Sequence, residues 1–435
     1  MPYYRSVGDV PPKRHTQFRK PDGSLYAEEL MGQEGFTSDA SLLYHRELPT
    51  AIVAAEPVEE EPAEVVANHP LLPRHFRTHQ LKVGGDPVAG RHLLLANQDV
   101  RLWYVAASAP SPLYRNAVGD ECLYVESGAG RFESVFGAFD VQQGDYLVIP
   151  TSTTWRLLPA GSGGLTSDAP TTAPGGPGQP SSSSPVESLG EPEPLRLLVI
   201  EATGAPGHIR PPRRYLSDAG QFLEHSPYCE RDLHGPTAPL LAEDIGADPD
   251  ADTEVLVRHR AGLTRYTYGH HPFDVVGWDG CLYPFRFSIH DFEPITGRIH
   301  QPPPVHQTFQ GPSFVVCSFV PRLFDYHPQA IPVPYNHANV DSDEVIFYTG
   351  GDFMSRAGSG IGQGSISLHP SGFTHGPQPG SVEAALGKPA TEELAVMVDT
   401  FRPLGLGPGA RDAEDPAYAW TWSRRHGSHP GPTTG

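Results

Sequence analysis

The sequence predicts an all-β-dominated protein: two β-rich blocks, preceded by an N-terminal extension and interrupted by a low-complexity insertion. Gly (46) and Pro (48) are so frequent among the 435 residues that turns and short strands are favoured over long helices. Short β-branched, aromatic and aliphatic runs recur, such as Leu102-Trp103-Tyr104-Val105, Tyr146-Leu147-Val148-Ile149 and Val345-Ile346-Phe347-Tyr348. The two blocks also share a weak internal repeat of acid, glycine and G-x5-P landmarks.

Taken in order, residues 1–69 form the N-terminal extension, mixed polar and aromatic. Its acidic stretch Glu56-Pro57-Val58-Glu59-Glu60-Glu61-Pro62 reads as a solvated loop. Residues 70–235 form the first β-rich domain, with strand runs at Leu93-Leu94-Leu95 and Leu123-Tyr124-Val125 and again at Leu195 to Ile200. Between them, 160–194 is Gly, Pro and Ser in low complexity. It has too little apolar area to offset its ordering entropy, so disorder is expected. Residues 236–405 form the second β-rich domain, and 406–435 a C-terminal tail ending in Gly, Pro and His.

Composition excludes several classes of function. The formal net charge is −20, which repels phosphate backbones, so nucleic acid is not expected as a partner. No apolar run approaches the ~20 residues of a membrane span. The start, Met1-Pro2-Tyr3-Tyr4-Arg5, lacks an apolar signal core, so the cytoplasm is the expected location. Cys122, Cys229, Cys281 and Cys317 are scattered without a C-x-x-C and read as reduced thiols.

The chemistry-bearing stretch runs from His337 to Pro377. It reads H-x-N-x4-E-x6-G from His337 through Glu344 to Gly351, then G-x5-P-x-G-x2-H from Gly364 to His375. Together these resemble the two motifs of the cupin β-barrel, in which a His and a Glu from one hairpin meet a His from another. The resemblance implies a bicupin of two jelly-roll-like barrels. It names His337, Glu344 and His375 as metal ligands, with neighbouring Asp343 a rival carboxylate. Two imidazoles and one carboxylate with open positions suit a non-haem Fe(II) that activates dioxygen. In the first block Glu121, Gly128 and Gly144 to Pro150 keep the same skeleton. There Asn116 and Trp155 stand where imidazoles are expected, so that barrel reads as structural.

Further patches resemble the homogentisate 1,2-dioxygenase family. They are Leu25 to Gly32 with Phe36-Thr37, Leu43-Tyr44-His45-Arg46 with Leu48-Pro49, His271 to Gly280 with Tyr283-Pro284, and Pro334-Tyr335-Asn336-His337. The family implies ring opening of homogentisate with dioxygen to maleylacetoacetate, as in tyrosine and phenylalanine catabolism, and a trimer-based homo-oligomer. It also implies a histidine base, for which His300 matches best and His306 competes. An imidazole titrates near working pH and a deprotonated ring hydroxyl is the better metal ligand. His369 is implied in the shell behind the ligands.

The chain departs from the family at Phe353, where a tyrosine that holds the substrate's acetate is expected. Arg286, Arg298 and Arg356 are candidate replacements. The missing hydroxyl leaves a second enzyme reading open, ring cleavage of another hydroquinone or aminophenol, gentisate-like. A third reading is a cupin that binds metal without oxygenase activity.

Overall fold

Side-chain alternation explains how the two barrels meet. In the computed structural model, which describes residues 3–60, 62–162, 193–333 and 335–423, the run Val345 to Tyr348 lies inside strand Asp343–Gly350. Successive strand residues face opposite sides. Val345 and Phe347 therefore join Val316, Ile366, Leu368, Val396 and Val398 in the main core, facing Cys122, Tyr124, Tyr146 and Ile200 of the first barrel. Glu344, Ile346 and Tyr348 face the other way, away from the first barrel.

Most elements are strands, and the protein is an all-β bicupin. The first barrel packs a nine-stranded sheet against a seven-stranded one. Between them Leu123, Val125, Leu147, Val199, Phe132, Trp155 and Leu157 form a separate core. The second is built on a six-stranded sheet in the order Gln307–Gly311, Phe314–Phe319, Leu394–Thr400, Asp343–Gly350, Ser365–His369 and Arg74–Arg77. Two hydroxyl pairs tie the sheets face to face: Tyr124 to Thr349 at 3.1 Å and Tyr146 to Ser318 at 2.8 Å.

Sheet membership does not follow the division of the chain at 235. Strands Thr253–His259 and Gly262–Tyr268 pair into the seven-stranded sheet, and Phe285–Ser288 into the nine-stranded one. Arg74–Arg77, from far upstream, closes the edge of the six-stranded sheet against Ser365–His369. Ladder partners are selected by which face an alternating strand can bury, and Phe285 and Phe287 both enter the main core.

Glu56-Pro57-Val58 is also not a loop. It ends strand Ile52–Val58, an exposed sheet edge that tolerates Pro57 because its N–H side needs no partner. Most of the insertion (163–192) and most of the tail (424–435) lie outside the described residues.

The N-terminal segment and the central patch form one four-stranded sheet, ordered Arg5–Gly8, Val275–Gly280, Ala40–His45, Ala27–Gly32. The imidazole of His45 lies between Asp274 (2.7 Å) and Glu29 (2.9 Å). Burial opposes charge on this ring, but the two carboxylates outweigh it and push its pKa up to about 9.

Candidate metal centre

Strand Asp343–Gly350 presents Glu344 on its pocket face, and Ser365–His369 presents His369 directly opposite it. The chain then turns at Pro370 and Gly372 and returns His375 to the same pocket. There His337 and His375 exchange backbone hydrogen bonds of 2.7 and 2.8 Å. This two-residue bridge fixes one imidazole beside the other, ring centroids 4.3 Å apart. Gly351 makes the turn after the Glu344 strand with φ +80°, and a Cβ there would stand 1.6 Å from the Glu392 carbonyl oxygen, so only glycine fits.

The ligand atoms of His337, Glu344 and His375 lie within 4.8 Å of one another. His337 Nε2 is 3.3 Å from Glu344 Oε2, and His375 Nε2 is 3.2 Å from Oε1. The Nδ1–H of His375 donates to the Phe373 carbonyl at 3.1 Å, which leaves the Nε2 lone pair directed at the carboxylate. A lone pair facing a carboxylate oxygen sets two acceptors against each other, and a cation between them resolves the conflict. The donor set therefore fits a metal ion.

Asp343 is engaged elsewhere. Its two oxygens accept the backbone N–H groups of Ser371 (2.9 Å) and Leu404 (2.8 Å). Alternation puts it on the opposite face from Glu344, so the pocket carboxylate is Glu344. Burial alone would raise the Glu344 carboxyl, yet the three imidazoles around it hold it well below the ordinary range. Across the other ladder lies Asp399, which burial first and the charge of Glu344 second push up to about 8.

The pocket face continues from the polar end into an apolar wall. Cys317, Ile346, Tyr348, Ala395 and Met397 form it, with Val315, Phe319, Phe353 and Ile361 packed on them. Phe353 sits edge-on to Tyr348 at 5.0 Å. Arg356 is buried beside them, donating to the Tyr348 hydroxyl (3.0 Å) and the Gly376 carbonyl (2.7 Å). Among the described residues no ion pair within 4.0 Å is made by this guanidinium.

No family model matches the chain. A Saccharolobus solfataricus protein provisionally named a dioxygenase is 38% identical over 97% of this chain and 99% of its own length. Homogentisate 1,2-dioxygenases of Rhodopseudomonas palustris (24% identical, 81% of this chain and 72% of theirs) and Nitrobacter hamburgensis (25%, 74% and 65%) also match. The chain belongs to the homogentisate 1,2-dioxygenase-like family. Similar solved structures include a cupin barrel protein of Leptotrichia buccalis, 8% identical, covering 77% of this chain and 99% of that one with a TM-score of 0.30. Oxalate decarboxylase of Bacillus subtilis is 12% identical, covering 82% and 79%, with a TM-score of 0.27.

In this dioxygenase-family chain, His369 is fully buried with both ring nitrogens engaged. Nδ1 is 2.8 Å from Glu344 Oε1, and Nε2 is 2.9 Å from the Tyr418 hydroxyl. Burial first, and the Arg356 charge second, push His369 down to about 3, so the ring is neutral.

His300 stands apart from the ligand cluster, 42% exposed on its side chain, with Nδ1 3.5 Å from Asp325. Its Nε2 is 3.1 Å from the Tyr335 hydroxyl, and the Tyr335 ring is edge-on to His337 at 5.8 Å. His306 is packed on Phe319 at 4.8 Å, and burial pushes it down to about 3. Arg286 lies on the nine-stranded sheet by Asp145, and Arg298 is exposed, so of the three arginines only Arg356 is in the pocket.

Tyr418 and Trp422 enter the pocket from the C-terminal segment, which carries no site motif of its own. The aromatic run Tyr418-Ala419-Trp420-Thr421-Trp422 ahead of the Gly/Pro/His end was the available signal.

Proposed function

We propose that the chain is an Fe(II)-dependent dioxygenase that opens a hydroquinone ring carrying a carboxylate, with homogentisate to maleylacetoacetate as the leading reaction. The convergence of His337, Glu344 and His375 carries this reading. These three residues would hold Fe(II), which would supply the one-electron redox chemistry that activates dioxygen.

The remaining roles fall to the chain's own side chains. The apolar wall of Cys317, Ile346, Phe353 and Met397 takes the face of the ring and excludes water. Arg356 holds the substrate carboxylate in place of the hydroxyl absent at Phe353. A buried guanidinium without an acid partner is costly, and a bound carboxylate supplies one. His300 accepts the ring-hydroxyl proton. Its Nδ1 lies 3.5 Å from the Asp325 carboxylate, which favours a proton on the ring, and the Tyr335 hydroxyl beside Nε2 leads toward His337. His306, held neutral by burial to a pKa of about 3, is a weak acceptor at neutral pH.

Phe353 favours a second reading, a ring whose anionic group sits differently, such as a gentisate-like hydroquinone or an aminophenol.

The test is metal analysis of the purified protein with oxygen uptake on a panel of hydroquinones and aminophenols. The expected result is stoichiometric iron and uptake with homogentisate. Uptake with another ring alone would overturn the substrate and retain the reaction class. Bound metal with no uptake on any ring would leave a non-oxygenase cupin. His300→Ala is expected to lose about a hundred- to ten-thousand-fold in turnover with metal retained, and His306→Ala far less.

A further inference from the structure

We propose that Tyr418 is a positioning residue of the metal centre, acting on Glu344 through His369; the proposal rests on the metal-binding reading above. It follows from how the His369 ring is held at both ends. A carboxylate only accepts, so Nδ1 of His369 carries a proton and donates to Glu344 Oε1 at 2.8 Å. The Tyr418 hydroxyl, 2.9 Å from Nε2, hydrogen-bonds the opposite side of the same ring. The hydroxyl thus fixes the ring orientation in which His369 holds Glu344. Tyr418 and His369 are each 0% exposed and Glu344 5%, so water does not substitute for any member of the chain.

The segment bearing Tyr418 is held on both flanks of the metal strands. Asp415 Oδ2 accepts from Arg77 on the edge strand at 2.6 Å, and its Oδ1 takes the Ala417 N–H at 3.1 Å. On the other side Gln378, three residues after His375, donates to Thr421 Oγ1 at 2.9 Å, and Trp422 Nε1 donates to the Gly376 carbonyl at 3.0 Å. The His369 ring is stacked on His375 at 4.2 Å, so a reoriented His369 would disturb a ligand imidazole as well as the carboxylate.

Tyr418→Phe removes only the hydroxyl and keeps the ring packed against His75 and Trp422. Partners behind a metal ligand typically contribute about 10- to 100-fold in affinity. The experiment titrates Co(II) into metal-free wild-type, Tyr418→Phe, His369→Leu and double-variant proteins. It follows the cobalt absorption bands and the melting temperature of each metal-free protein.

The expected result is a loss of about 10- to 100-fold in Co(II) affinity and altered bands for Tyr418→Phe, with the metal-free melting temperature near wild type. Adding Tyr418→Phe to His369→Leu should cost nothing further, because the hydroxyl acts through that ring. Wild-type affinity in Tyr418→Phe, or additive losses in the double variant, would overturn the proposal while leaving the metal reading intact. A wild-type protein that binds no Co(II) and no Fe(II) would remove the metal reading, and this proposal with it.

Discussion

Glu121 in the first barrel and Glu344 in the second occupy corresponding places, and their surroundings differ in one decisive respect. Each lies at the start of a strand, and each faces another acid across one ladder, Glu201 for Glu121 and Asp399 for Glu344. Glu121 receives Arg91 at 2.5 Å, with both side chains buried. Its neighbour Glu201 receives Asn116 and Trp103, each at 3.0 Å. Trp155 is packed between Tyr114 (5.3 Å) and Phe132 (5.9 Å).

Around Glu344 stand three imidazoles, and no Lys or Arg pairs with it among the described residues. One skeleton thus gives two outcomes. A permanent cation turns the buried acid into an internal ion pair. Three imidazoles with no permanent cation among them leave the acid arranged for a metal.

The sharpest break of this contrast is metal content. Glu344→Ala should abolish metal binding and activity, while Glu121→Ala should keep full metal, measured by elemental analysis of the folded proteins. Full metal in the Glu344→Ala protein would end the comparison.

The next effect is on stability. Arg91→Met leaves a buried carboxylate unpaired and should cost about 3–5 kcal/mol in denaturant unfolding, with most of the loss recovered in Arg91→Met/Glu121→Leu. Turnover per folded molecule should not change.

Two histidines sharpen the contrast further. His45 lies between two carboxylates and is charged, with a pKa of about 9, whereas His369 lies between a carboxylate and a hydroxyl and is neutral. A folded-state value above the unfolded one stabilises fully below the unfolded pKa. That contribution is then lost as pH rises through the folded value. The His45 contribution, on the order of 3 kcal/mol, should be complete below about pH 6.5 and fade toward pH 9. His45→Gln should flatten that part of the stability curve.

The smallest effect is expected for Phe353→Tyr. One restored net hydrogen bond should lower the KM for homogentisate about two- to tenfold. An unchanged KM would place the anionic group away from residue 353.

How far the sequence could be read follows the range of the interactions involved. The strand runs and the Gly364 to His375 motif are local, and residues inside one hairpin announce their pairing by spacing. Choosing Glu344 over Asp343 needed only strand alternation once the strand was placed. Tyr418, Trp422 and Arg356 reach the pocket through contacts between segments distant in the chain, which no spacing encodes. The same holds for Val275–Gly280 beside Ala40–His45, where two patches read separately turn out to share one ladder.

The edge strand Arg74–Arg77 has a consequence for how the protein is made. It pairs with Ser365–His369, and its Phe76 bridges to Glu414 near the far end of the described chain. On the ribosome this strand emerges early and waits for its partner until most of the chain has been synthesised. The barrel that carries His337, Glu344 and His375 therefore cannot mature as a separate unit while the chain is still growing. Its assembly belongs to the slow, long-range closures that leave sheet edges uncovered in the interim.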